Sequence, residues 1–150
     1  MPVQAYYGAW YYIPSLAKNS GVWNLFHFTG GSEGHGLWDV SLINSSSGAL
    51  QPVVYRFPLP PANQGGKPAL SFTPEIPIRQ WFHLEVFLKR AQDATGEVQV
   101  YLDGVSLLHL TNLVTDDTDW GQWYVGNLAT DITPPEYTLY VDDVTIGEAR

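Results

Sequence analysis

Apolar and polar residues alternate with a period of two along most of this chain, in short runs that end on Gly, Pro, Asn, Ser or Asp. That period places successive side chains on opposite faces of an extended strand. Nine runs carry it, at residues 5–13, 22–29, 36–43, 52–57, 78–89, 96–102, 105–111, 122–127 and 137–146. In the fifth, Phe82, Leu84, Val86 and Leu88 share one side, the expected core side, while Trp81, His83, Glu85, Phe87 and Lys89 share the other. Trp38, Val40 and Leu42 likewise oppose Leu37, Asp39 and Ser41, and Val98, Val100 and Leu102 oppose Gln99, Tyr101 and Asp103. The second run is apolar on both sides, with Asn24, Phe26 and Phe28 against Trp23, Leu25, His27 and Thr29. A strand covered on both faces reads that way, so it is predicted to be central. Many short strands between turn formers predict an all-β antiparallel sandwich in one domain spanning residues 1–150.

The breaks between runs carry their own signals. Asp103-Gly104 separates two strand patterns, and both residues tolerate the positive φ that a type I′ hairpin turn demands. Residues 58–68 hold four prolines and two glycines, which forbids regular structure and predicts a long surface loop able to flank a binding face. Ser15-Leu16-Ala17-Lys18 is the single helical candidate, a short turn with Ser15 as its cap. The run from Gly30 to Gly36 is glycine-rich but lacks the Lys-Ser/Thr of a phosphate loop and lies between strands, so it reads as a hairpin connection.

Composition narrows the chemistry. Six Trp, nine Tyr and six Phe supply many rings, and no cysteine is present for a disulfide, a thiol nucleophile or a zinc-thiolate site. Seven Lys and Arg against fifteen Asp and Glu leave a net charge of −8. Such a chain lacks the phosphate-neutralising surface that nucleic acid requires, and it would repel heavily sulfated or carboxylated polymers at low salt, so a neutral polysaccharide or oligosaccharide is the favoured partner. No run approaches 18 apolar residues, and Met1 is followed by Pro-Val-Gln-Ala rather than a basic and then apolar leader. The expectation is a soluble chain with no membrane span and no export signal of its own.

Three segments in order carry a resemblance. Trp81-Phe82-His83-Leu84-Glu85-Val86, the hairpin Val100-Tyr101-Leu102-Asp103-Gly104 and the closing Leu139-Tyr140-Val141-Asp142-Asp143-Val144-Thr145-Ile146 resemble the concanavalin A-like, or laminin G-like, jelly rolls. Ala9-Trp10-Tyr11-Tyr12-Ile13-Pro14 is similar to an early strand of bacterial secreted members, including polysaccharide-lyase-like proteins and carbohydrate-binding modules. The resemblance implies a jelly-roll sandwich that works outside the cell or at its surface. Family domains usually carry further strands before the Trp-Tyr-Tyr-Ile-Pro segment, and a jelly roll without them would have an open strand edge, so a homo-oligomer is a further expectation.

If the polar faces of the middle strands line one concave sheet, His27, Asp39, Trp81, His83, Glu85, Gln99 and Tyr101, with Trp123 nearby, form a sugar-binding surface. Rings stack on pyranose faces while Asp, Glu, Gln and His satisfy the hydroxyls. Trp120, Tyr124, Gln122 and Asn127 extend the supply. The structural alternative is that most tryptophans, Trp38, Trp10 and Trp23 first, are core, and that His83 with Glu85 is a buried hydrogen bond. A lectin-like, non-catalytic binding module is the leading reading. A lyase or hydrolase on the same face is the alternative, with His83, Tyr101, His27 and Glu85 as its catalytic candidates and Arg79, Lys89 and Arg56 as sources of charge. The Tyr-x-Lys-x-Gly-x-Tyr strand of several lyase families and the Glu-x-Asp-x-x-Glu run of retaining glucanases are both missing. A structural or assembly domain that associates through its strand edge is the third reading. No cofactor is required, but alternation aims one of Asp142 and Asp143 inward, where a structural calcium would satisfy it, as backbone amides or an Arg equally would. Asp116-Asp117-Thr118-Asp119 reads as an acidic, solvated turn, and His27 with His83 as a remote chance of zinc.

Overall fold

The computed structural model describes residues 1–30, 36–57, 69–72 and 74–150. Most of the glycine-rich connection and the whole Pro/Gly loop at 58–68 fall outside the described residues. Twelve strands and no helix appear among the described residues: β1 (Gln4–Tyr12), β2 (Lys18–Asn19), β3 (Trp23–Thr29), β4 (Gly36–Asn44), β5 (Leu50–Arg56), β6 (Ala69–Ser71), β7 (Trp81–Lys89), β8 (Gly96–Leu102), β9 (Val105–Leu113), β10 (Gln122–Ala129), β11 (Ile132–Thr133) and β12 (Tyr140–Gly147). Each of the nine predicted runs overlaps one long strand, with bounds that differ by a few residues. The predicted helical turn instead leads into β2, which pairs with β11, because its neighbours offer an edge for backbone pairing.

Two antiparallel five-stranded sheets face each other, one ordered β12-β1-β7-β8-β9 and the other β10-β3-β4-β5-β6. The central position predicted for the second run is that of β3, between β10 and β4. The core lies between the sheets and is ring-rich. Tyr7 and Tyr11 of β1 meet Phe26 and Phe28 of β3, with Tyr7 and Phe28 edge to face at 5.1 Å and Tyr11 stacked on Phe82 at 5.7 Å. Burying each ring contributes about 2–3 kcal/mol before entropy is counted. The hairpin turn is as predicted, with φ of 49° at Asp103 and 79° at Gly104, and the Asp103 carboxylate also accepts the His83 N–H at 2.7 Å.

The two core tyrosines differ in what happens to their hydroxyls. Tyr11 Oη donates to the Leu25 carbonyl at 2.8 Å, whereas Tyr7 Oη is buried without a hydrogen-bond partner among the described residues. Burial raises both phenols, Tyr7 to about 12 with partial relief from the Arg90 charge. A raised phenol stabilises the fold fully below its ordinary value near 10 and loses that contribution as pH climbs through the folded value. Urea titrations are therefore expected to show stability falling from about pH 10 to 12. At pH 7, Tyr11→Phe should cost about 1 kcal/mol and Tyr7→Phe should be neutral or stabilising, because only the first loses a hydrogen bond. Equal losses would contradict this.

Three expectations are corrected. Trp38 and Trp23 are core, but Trp10 is 38% exposed on an outer face, because β1 alternates Tyr7, Ala9 and Tyr11 inward. Asp116 is not solvated: it is buried in an ion pair with Arg90. Asp142 and Asp143 are both exposed. A bulge against β1, with φ of 45° at Asp143, breaks the alternation, so Val141 and Val144 both stand on the Tyr11 and Tyr7 side and neither carboxylate needs an inward partner.

Candidate functional site

Near the middle of the second sheet, register places three polar side chains side by side on its outer face. His27 of β3 pairs with Asp39 of β4 on one side and with Tyr124 of β10 on the other. Asp39 is buried and its two oxygens are both used: Oδ1 meets His27 Nδ1, and Oδ2 accepts the Asn24 amide at 2.9 Å. Asn24 in turn accepts from Ser41 Oγ at 2.5 Å. A buried carboxylate costs free energy unless satisfied, and here Ser41, Asn24 and His27 form the satisfying network. A carboxylate receiving Nδ1–H selects the imidazole tautomer with its lone pair on Nε2 and stabilises the imidazolium that forms if Nε2 takes a proton. No hydrogen bond from a described residue occupies Nε2.

Beside His27 the two strands open. β3 is irregular against β4 between Asn24 and Phe26, and β10 is irregular against β3 between Val125 and Leu128, where Gly126 and Asn127 leave the ladder. Paired irregularities at one level re-aim side chains and make room. The result is an open groove of about 500 Å³ lined by Asn24, Leu25, His27, Thr29, Tyr124 and residues 125–128. Tyr124 is half-exposed, its ring 5.9 Å from that of His27, and its hydroxyl donates to Gln122 Oε1. Asn127 spends its carbonyl oxygen on the Trp23 indole at 2.6 Å, which fixes the amide and leaves its NH₂ as a donor. The groove thus offers a base, a phenol whose proton rests on Gln122 Oε1, and amide N–H groups. No Lys or Arg lines it among the described residues.

The single surface expected from the sequence divides in two. His27 and Asp39 are on the outer face of β3 and β4, whereas Trp81, His83, Glu85, Gln99 and Tyr101 stand on the outer face of β7 and β8, across the core. Alternation sorts the two sides of a strand but does not tell which sheet the strand joins. His83, Tyr101 and Glu85 therefore cannot share a reaction with His27, nor can His83 and His27 share a metal. Glu85 pairs with Arg150 at 2.5 Å, whose guanidinium lies 4.0 Å over Tyr101, and Tyr101 donates to Gln99. Trp123 faces inward, 4.9 Å from Tyr7 and 5.0 Å from Phe26, so it is no ligand contact. No cluster of three His, Asp or Glu residues with metal-binding spacing occurs among the described residues, around Asp142 and Asp143 or elsewhere. Asn24 and Ser41 were missed as site residues. Their one sequence signal is polarity in strands otherwise apolar, with Asp39 and Ser41 two apart on one face.

No protein-family model matches the sequence, and no curated protein matches it. Solved structures do match in fold. The endo-β-1,4-glucuronan lyase of the fungus Trichoderma reesei superposes with a TM-score of 0.73 at 16% identity, over 97% of this chain and 68% of that one. An alginate lyase from a Chlorella virus gives 0.61 at 12% identity over 97% and 71%, and a heptameric pentraxin from Limulus polyphemus gives 0.56 at 17% over 95% and 63%. The fold is a concanavalin A-like jelly roll. In this jelly roll the His27 groove occupies the outer face of one sheet, and no helix among the described residues is long and apolar enough to cross a membrane.

Proposed function

We propose that this jelly roll is a polysaccharide lyase domain that cleaves a uronate-containing polymer by β-elimination in the His27–Tyr124 groove. The carrying observation is His27 held at Nδ1 by a buried, doubly hydrogen-bonded Asp39, with Tyr124 beside it in an open groove. Neighbours whose names are glucuronan lyase and alginate lyase support the reading. In the step, His27 Nε2 takes the proton at C5, next to the carboxylate, and the C4–O4 bond breaks with formation of a C4–C5 double bond. Tyr124, its hydroxyl turning from Gln122 to the substrate, gives a proton to the departing oxygen. The Asn127 and Asn24 amides donate to the carboxylate, where charge develops.

The absence of Lys and Arg among the described groove residues favours a second reading, a non-catalytic polysaccharide-binding module using the same groove. Incubation with glucuronan and with alginate separates the two. The lyase reading expects growing ultraviolet absorbance from the conjugated double bond and unsaturated oligosaccharides by mass spectrometry. No unsaturated product on either polymer, with the chain still retarded by the polymer in a native gel, would establish the module instead. Either activity would be exercised where polysaccharide is found, outside the cell or at its surface.

Charge adds a second expectation. The chain carries −8 and the substrate is a polyanion, so their long-range repulsion is screened as the Debye length shrinks from about 30 Å at 0.01 M to about 8 Å at 0.15 M salt. KM for the uronate polymer should fall across that range while kcat stays constant. A KM that rises with salt would mean that cationic contacts hold the substrate.

A further inference from the structure

The outer face of the first sheet does not look like a surface built only for water. Solvated faces of antiparallel sheets normally alternate toward polar residues, yet here the outward positions of β12, β1 and β7 carry rings. Tyr140, Tyr12 and Trp81 stand directly opposite one another on three adjacent strands, Tyr12 lying 5.9 Å from Tyr140 and 5.5 Å from Trp81. Two residues along, Trp10 is flanked by Asp142 on one neighbour and His83 on the other. Trp10 is 38% exposed, Trp81 45% and Tyr140 52%. The second row is built around Gly8: a Cβ there would come within 3.0 Å of the His83 ring, so the bare glycine lets His83 lie against Trp10 at 5.1 Å.

We infer that this face is a second polysaccharide-binding surface, distinct from the groove, that holds a neutral glycan chain across β12, β1 and β7. Strands lie about 4.8 Å apart, so the row of three rings spans about 10 Å and covers the apolar faces of successive sugar units. Asp142 and His83 beside it supply acceptors and donors for hydroxyls. Charge selects the occupant. Of the ionised groups near the rings, Glu85 is matched by Arg150 at 2.5 Å, while Asp142 beside Trp10 is exposed and forms no ion pair among the described residues. A face of rings with the exposed Asp142 carboxylate at its edge fits an uncharged ligand, whereas a polyanion would meet a like charge there. This inference does not rest on elimination chemistry in the groove. It would let the domain sit on a neutral matrix while the opposite sheet works on another polymer.

Native affinity electrophoresis in gels containing hydroxyethylcellulose or arabinoxylan tests it. Wild type should be retarded in at least one gel, His27→Ala equally retarded, and the Trp10→Ala/Trp81→Ala double variant should bind at least about tenfold more weakly, the scale set by losing ring contacts. Tyr140→Ala, exposed at the end of the row, should give an intermediate loss, which keeps the test open if the double variant folds poorly. The double variant should retain wild-type action on uronate polymers. Unretarded wild type in both gels would overturn the inference. Full retardation of the ring variants would do the same, as would a dimer seen by sedimentation that dissociates when the rings are removed.

Discussion

His27→Ala is expected to lower kcat on a uronate polymer by about 10²–10⁴-fold, the usual worth of a positioned general base, and to lower the melting temperature as well, because it leaves the buried Asp39 carboxylate with only the Asn24 amide. The side chain is only partly buried on an outer face, so its removal opens no core cavity. Asp39→Asn should cost almost as much. An amide there cannot stabilise an imidazolium and would favour the wrong tautomer. Because the two act as one unit, the double variant should be little worse than either single one. Tyr124→Phe should retain substrate binding yet lose turnover, since the ring remains and only the proton donor is gone. Undiminished activity in His27→Ala would remove His27 from the chemistry.

The largest expected effect on stability lies at the other end of the sandwich. Arg90 and Asp116 are 8% and 1% exposed and paired, and each has further partners. Arg90 donates to the Met1 and Thr118 carbonyls at 3.0 and 3.1 Å, and Asp116 Oδ1 accepts the N–H groups of Asp117 and Thr118 at 2.7 and 3.2 Å. The pair ties the N-terminal residue, the end of β7 and the turn before β10 together. Asp116→Ala leaves a buried guanidinium without its counter-charge and should cost about 3–5 kcal/mol. At this chain length that corresponds to a fall in Tm of roughly 6–20 °C. Arg90→Met/Asp116→Leu should recover much of the loss, because an apolar pair leaves no unmatched charge. A loss below about 1 kcal/mol in Asp116→Ala would mean the pair behaves as an exposed one.

What was legible in the sequence follows from the range of the physics involved. Alternation is local, so the core set Phe82, Leu84, Val86 and Leu88 and the Asp103-Gly104 turn could be read directly, and the order of three motifs pointed to the jelly roll. Sheet membership is not local. His27 and His83 have the same alternation signature, and only the pairing of β3 with β10 and of β7 with β1 puts them on opposite sides of the molecule. Bulges are equally silent: the one at Asp143 turned outward the carboxylate that alternation aimed inward, and those at Asn24 and Val125 opened the groove. Asp116 looked solvated because its partner, Arg90, is 26 residues away.

The groove itself is tested most directly by a crystal of His27→Ala soaked with a glucuronan or alginate oligosaccharide. The account predicts sugar density along β3 and β10, with Tyr124 beside the scissile linkage and the Asn127 and Asn24 amides at the uronate carboxylate. A groove empty of sugar, whatever binds elsewhere on the molecule, would contradict it.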